Sequence, residues 1–153
     1  WASFHRLERF HITVSIFGRS LLEKGLGKSM TVVLGDEMAI DFHTTNFDFS
    51  FITDYDQDSV KGMFRPFVTR LFEEVSRPMI ELQITDTELV YMLGQLTWHL
   101  EGRAGVSSET LAISESFRAR ISNELHDYYV YELKMTNYAA RLMKLMGIVN
   151  DVE

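Results

Sequence analysis

The sequence predicts an all-α fold that carries one small β-hairpin. Three observations predict it. Only two prolines, Pro66 and Pro78, interrupt 153 residues. Apolar residues recur mainly at three- and four-residue spacings, the mark of helices with a buried face. One stretch, 30–42, breaks that period around a Gly-Asp pair. The length suits a single domain, given the usual range of roughly 100–200 residues.

Trp1, Phe4, Leu7, Val14, Phe17 and Leu21 mark one face of a first helix, and Phe10, Ile12 and Ile16 widen it. A face this broad predicts a central helix covered on more than one side. Gly25-Leu26-Gly27 ends it. Two short runs follow, Met30–Leu34 and Glu37–Phe42, joined by Gly35-Asp36, the composition of a two-residue hairpin turn. Such a hairpin needs a helical layer to rest on. Residues 46–55 are aromatic without clear period and read as irregular.

Val60, Met63, Phe64, Phe67, Val68, Leu71, Phe72 and Val75 form an i, i+3, i+4 stripe, with Asp56 or Asp58 placed to cap it. Pro66 lies inside that stripe, which predicts a kink or two helices, because proline removes a donor and clashes with the preceding turn. Pro78 predicts another boundary. Thr85-Asp86-Thr87-Glu88 fits the capping box and opens a helix carrying Leu89, Met92, Leu93, Leu96 and Leu100. The glycines of 101–106 predict a loop, after which Ser107 caps a long helix through Leu111, Phe117, Ile121, Leu125, Tyr128 and Leu133. A last helix, from Thr136 or Asn137, carries Tyr138, Leu142, Leu145, Val149 and Val152. There is no internal repeat, low-complexity tract or linker.

Asp plus Glu number 22 against 15 Lys plus Arg, a formal charge of −7. That field repels a phosphate backbone, so this chain alone is not expected to grip DNA. The absence of cysteine excludes disulfides, a cysteine nucleophile and cysteine-ligated zinc within these residues. Apolar runs such as Met30-Thr31-Val32-Val33-Leu34 fall far short of the roughly 20 residues that span a bilayer, so no membrane association is expected. The chain starts at Trp1 and shows no signal-peptide pattern, which suggests a piece of a longer protein.

Catalytic and metal motifs are weak. Asp54-Tyr55-Asp56-Gln57-Asp58-Ser59 opens like a calcium loop, but Ser59 stands at the sharp-turn glycine and Arg65 at the bidentate glutamate. A helix N-terminus, where carboxylates complement the dipole, is the better reading. Gly25-Leu26-Gly27-Lys28-Ser29 ends like a phosphate loop, yet Leu22 occupies its first glycine and a helix precedes it. The five histidines, His5, His11, His43, His99 and His126, show no metal-ligand spacing. His126-Asp127 are adjacent on a helix and do not face each other, so a packing or surface role is expected. No nucleophile, base and orienter can be assembled, and no enzyme activity is expected. Eight methionines and eleven phenylalanines suit either an adaptable apolar cavity or an ordinary core; composition alone favours the core.

Three longer segments carry a resemblance: Leu96-Thr97-Trp98-His99-Leu100-Glu101-Gly102-Arg103, Asn123-Glu124-Leu125-His126-Asp127-Tyr128-Tyr129, and Asn137-Tyr138-Ala139-Ala140-Arg141-Leu142-Met143-Lys144-Leu145-Met146. With Phe4-His5-Arg6-Leu7-Glu8-Arg9, Phe64-Arg65-Pro66-Phe67 and Arg77-Pro78, they resemble the ligand-binding domain of the expanded nematode nuclear hormone receptors, a family related to hepatocyte nuclear factor 4. The resemblance runs from Trp1 to Glu153. It implies part of a three-layer antiparallel helical sandwich, about helix five to helix ten, with helices one to three and twelve outside these residues.

What the resemblance implies for function is ligand-dependent or constitutive recruitment of coregulators by a nuclear transcription factor. Its DNA contacts, and its zinc, would belong to a separate domain. No cofactor is implied for this chain beyond a small apolar, lipid-like ligand of unknown identity. Phe4, His5, Glu8 and Ile12 on the first helix, Val33 and Ile40 on the hairpin, and Phe67 and Leu71 on the following helix would line its pocket. Tyr138, Arg141, Leu142, Leu145 and Val149 would contribute to a homodimer or receptor heterodimer, with intramolecular core as the competing role. Arg103 is expected either to pair with a buried carboxylate or to stand exposed. The alternative from another class is a helical protein-interaction scaffold without a small-molecule pocket.

Overall fold

A computed structural model describes residues 31–33, 39–41, 46, 48, 50–51, 53–100 and 102–152. The predicted first helix and the Gly25–Ser29 segment lie outside them. The described residues fall within two compact units, His11–Glu81 and Leu82–Glu153.

In the first unit, β1 (Thr31–Val33) pairs antiparallel with β2 (Ala39–Asp41), Thr31 opposite Asp41, Val32 opposite Ile40 and Val33 opposite Ala39. A two-residue turn at Gly35-Asp36 would set Thr31 against Ile40, so the predicted register is off by one residue. The strands are instead joined by residues 34–38, which lie outside the described residues. Loop length sets register, and an odd connection shifts every pair by one.

Helix α1 (Gln57–Arg70) starts at Asp56 rather than Asp58. The Asp56 carboxylate accepts the Ser59 backbone N–H at 3.0 Å and the Ser59 hydroxyl at 2.6 Å. The hydroxyl and then the amide hold this carboxyl below its usual range. Of the kink or two helices expected at Pro66, the second does not occur, since α1 continues through Pro66 as one helix. The lost bond would have gone to the carbonyl of Gly62, an exposed position where water can take its place.

The interruption comes later. Leu71–Ser76 widens into a π-helical segment, and Arg77 N–H reaches back to the Phe72 carbonyl. Helix α2 (Arg77–Leu82) follows, with Pro78 in its first turn. Pro78 therefore sits where the hydrogen-bond ladder returns to its ordinary spacing, the place where a missing donor costs least. Val60, Phe72, Val75, Ser76 and Met79 are buried.

The second unit contains α3 (Asp86–Trp98), α4 (Ser108–Asp127), a π-helical extension Tyr128–Glu132, and α5 (Ala139–Val152). Helix α3 packs against both α4 and α5. The capping box forms as the sequence predicts. Thr85 Oγ1 accepts Glu88 N–H at 3.3 Å, and Thr85 N–H donates to Glu88 Oε2 at 2.8 Å. Ser107 caps α4 by accepting Thr110 N–H at 3.2 Å. Asn137 Oδ1 accepts Ala139 N–H at 3.1 Å and opens α5 two residues after the expected cap.

Met92, Leu96, Leu125, Tyr129, Leu145, Ile148, Val149 and Val152 fill the core of this unit. Each large aliphatic side chain so buried stabilises by about 1.5–3 kcal/mol. At one end Trp98 and Phe117 stack with centroids 4.4 Å apart. None of the described helices is long and apolar enough to cross a membrane.

Candidate functional site

Glu88 lies one helical turn before Met92 and two before Leu96, so the face of α3 that buries them buries its carboxylate too. Four hydrogen bonds meet it. Oε1 accepts the Tyr129 hydroxyl at 2.6 Å and Arg141 Nε at 2.5 Å. Oε2 accepts Thr85 N–H at 2.8 Å and Arg141 Nη2 at 2.7 Å. The guanidinium thus grips the carboxylate with two nitrogens, the strongest geometry for such a pair.

Arg141 reaches further, donating from Nη1 to the Leu82 carbonyl at 2.9 Å and from Nη2 to the Gln83 carbonyl at 3.4 Å. Gln83 adopts φ 49°, a left-handed conformation costly for a non-glycine residue, in the turn after α2. One side chain of α5 therefore fastens the turn before α3 and the first turn of α3 itself.

The electrostatics follow. Burial pushes the Glu88 carboxyl up, but Arg141, Tyr129 and the Thr85 amide outweigh it and hold it below the ordinary glutamate value. Burial, then the Glu88 carboxylate, pushes the Tyr129 phenol well above the usual tyrosine range. Glu88 raises the Arg141 guanidinium further. A carboxylate with both oxygens doubly occupied has no lone pair left for proton transfer or for a ligand. Its action is to fix helices.

Two further polar contacts extend this frame. Tyr129 packs on Tyr138 at 4.8 Å, and the Tyr138 hydroxyl meets His126 Nδ1 at 2.5 Å. His126 accordingly packs against a tyrosine rather than pairing with Asp127. Two turns further along the same face of α3, buried Gln95 accepts Arg118 Nε at 2.9 Å and donates to Ser122 Oγ at 3.4 Å. Among the described residues no three His, Cys, Asp or Glu side chains converge to hold a metal ion.

Of the predicted pocket residues, Phe4, His5, Glu8 and Ile12 lie outside the described residues. Val33 and Ile40 are in β1 and β2 but are not register partners, Val33 facing Ala39 and Ile40 facing Val32 across the ladder. Phe67 is on α1 and Leu71 opens the π-helical segment. Of the predicted partner-facing residues, Leu145 is 0% exposed and Val149 is buried, so both belong to the chain's own core. Arg141 is occupied by Glu88, and Tyr138 and Leu142 are partly covered. Met143, at 68% exposed, is the open apolar side chain of α5. A buried carboxylate does pair with an arginine, but with Arg141, while Arg103 is exposed.

The sequence reading took Glu88 as a cap alone and missed its central place. The signal was available. Glu88 shares a face with Met92 and Leu96, and Arg141 shares one with Leu145, Ile148, Val149 and Val152. Opposite charges on two apolar stripes point to each other, because neither can be buried alone.

Comparison with known proteins decides the family. Residues 1–153 match the family described as the ligand-binding domain of nuclear hormone receptor. The chain belongs to this family. The nuclear hormone receptor family members nhr-213 and nhr-54 of Caenorhabditis elegans are 34% and 33% identical to it, over 100% and 99% of this chain. A third, nhr-134 of the same organism, is 32% identical over 100% of the chain. This ligand-binding domain sequence spans 35%, 36% and 36% of those relatives' lengths. No solved structure matches it. The helical character of the described residues agrees with a receptor ligand-binding domain.

Proposed function

We propose that the chain is the ligand-binding and dimerisation portion of a nuclear receptor that regulates transcription in the nucleus. The match of the whole chain to receptor ligand-binding domains carries this reading. The fold is the three-layer helical sandwich with its small hairpin, here from helix five to helix ten. Contact with DNA, and zinc, belong to a separate part of the parent protein.

In this reading Phe4, His5, Glu8, Ile12, Val33, Ile40, Phe67 and Leu71 line a cavity for a small apolar ligand. Occupancy shifts the population of a terminal helix and so selects coregulators, since a ligand moves an equilibrium only by its differential affinity. The chain performs no catalysis. Partner contact uses the exposed side of α5 around Met143, with Tyr138, Arg141 and Leu142 at its edge and Leu145 and Val149 supporting it from the core.

The test is a reporter assay with the full-length receptor's ligand-binding region fused to an unrelated DNA-binding domain. Reporter output that changes with Phe67→Ala and Leu71→Ala, at unchanged protein level, supports the reading. Native mass spectrometry of the same region should show a lipid-sized extra mass that both substitutions diminish. A region that neither alters transcription nor retains any ligand would favour a scaffold instead.

A further inference from the structure

Helices α3 and α4 approach closely at Gly94. A Cβ placed there would stand 2.6 Å from Ile121 Cδ1, so glycine permits the approach. Between the start of α3 and the end of α4 lies a groove of about 300 Å³. Val90, Tyr91, Ile121 and Leu125 supply its apolar lining, and Asp86 and Glu124 its charged groups. Val90 is 66% exposed, so the apolar lining is open to solvent.

Every charged side chain lining the groove is a carboxylate, on a chain whose formal charge is −7. A second copy of this chain would bring like charge to the rim, which disfavours it. The geometry points to a docking site for a basic amphipathic helix of a partner protein. An apolar side chain of that helix seats on Val90 and Ile121, and lysine or arginine a turn away meets Asp86 and Glu124. Long basic side chains suit this edge because their aliphatic stems cover apolar surface while the charged ends remain wet. Glu124 is held only by an exposed pair with Arg120 at 3.1 Å, which a partner cation can replace. The groove shares no residue with those proposed to line the ligand cavity.

The test uses the full-length receptor and a fluorescent alanine-based helical peptide with one leucine flanked by lysines a turn away on either side. Its control carries glutamates in place of the lysines. Saturable binding of the lysine peptide is expected, weakened about tenfold or more by Val90→Arg and about two- to fivefold by Glu124→Gln. Glu115→Gln, which removes an exposed carboxylate of α4 outside the groove, should leave it unchanged. Val90 and Glu124 are exposed, so unfolding midpoints should match the parent; should Val90→Arg fail to fold, Thr87→Arg at the same exposed edge replaces it. Absence of saturable binding, equal binding of the glutamate peptide, or indifference to both arginine substitutions would overturn the proposal.

Discussion

Arg141 and Glu88 stand 53 residues apart in sequence and are joined by two hydrogen bonds, Nε to Oε1 at 2.5 Å and Nη2 to Oε2 at 2.7 Å. The carboxylate is wholly buried and the guanidinium largely so. Two helices are thereby fixed in both position and rotation, because a planar fork on a planar carboxylate tolerates little twist.

Removing one partner should cost more than removing both. Arg141→Met strands a buried carboxylate and is expected to destabilise by about 3–5 kcal/mol. Glu88→Leu combined with Arg141→Met removes the stranded charge and should recover most of that loss. Urea unfolding of the parent, the two single variants and the double variant measures the cycle; a double variant as unstable as Arg141→Met would reject the account.

The same cluster gives stability two pH limits. Glu88 titrates lower in the folded chain than in the unfolded chain, so its contribution is present above the ordinary glutamate value of about 4.3 and is lost as pH falls through the folded value. Tyr129 titrates higher when folded. Its contribution is present below the ordinary tyrosine value of about 10 and fades as pH rises beyond it. Tyr129→Phe should flatten the alkaline limb relative to the parent, read by thermal unfolding across pH and by ultraviolet titration of the phenolates.

Helix α5 separates a core role from a contact role along one element. Leu145→Ala should destabilise by about 2–5 kcal/mol, the range for a fully buried leucine. Met143→Glu, on the open side, should change stability by less than about 0.5 kcal/mol yet weaken self-association of the receptor, measured by sedimentation. Equal sedimentation of the Met143→Glu variant and parent would move the contact elsewhere.

Close approach at Gly94 predicts a compensating pair. Gly94→Ala gains about 1 kcal/mol of helix propensity but drives a methyl group into Ile121 Cδ1. Ile121→Val removes that carbon. In the Ile121→Val background, Gly94→Ala should therefore stabilise, whereas in the parent the gain should be reduced or reversed; thermal unfolding of the four proteins decides.

Local signals in the sequence were read well where chemistry is local. The Thr85–Glu88 capping box and the Ser107 cap rest on contacts within three residues and both appear where expected, whereas α5 opens at Ala139, two residues after Asn137, and Met63 and Phe64 of the α1 stripe stand exposed. The hairpin register was not legible, since Gly35-Asp36 offers a good two-residue turn while the ladder pairs Val33 with Ala39. Pro66 predicts a kink or two helices, and the helix continues through it as one, its missing bond falling at exposed Gly62. Burial of Leu145 and Val149 against exposure of Met143 depends on which side of α5 meets α3. Period alone finds a stripe without saying what covers it.

The wide turn Leu71–Ser76 is one residue of slack stored inside a helix. An ordinary helix advances about 100° per residue, so deleting one residue there should tighten the turn to regular α-helix while leaving the elements on either side in phase. The same deletion in α4 would rotate Leu125 and Tyr129 out of the core. Length variation among relatives is therefore expected to be tolerated at the π-helical segments Leu71–Ser76 and Tyr128–Glu132 and excluded from α4.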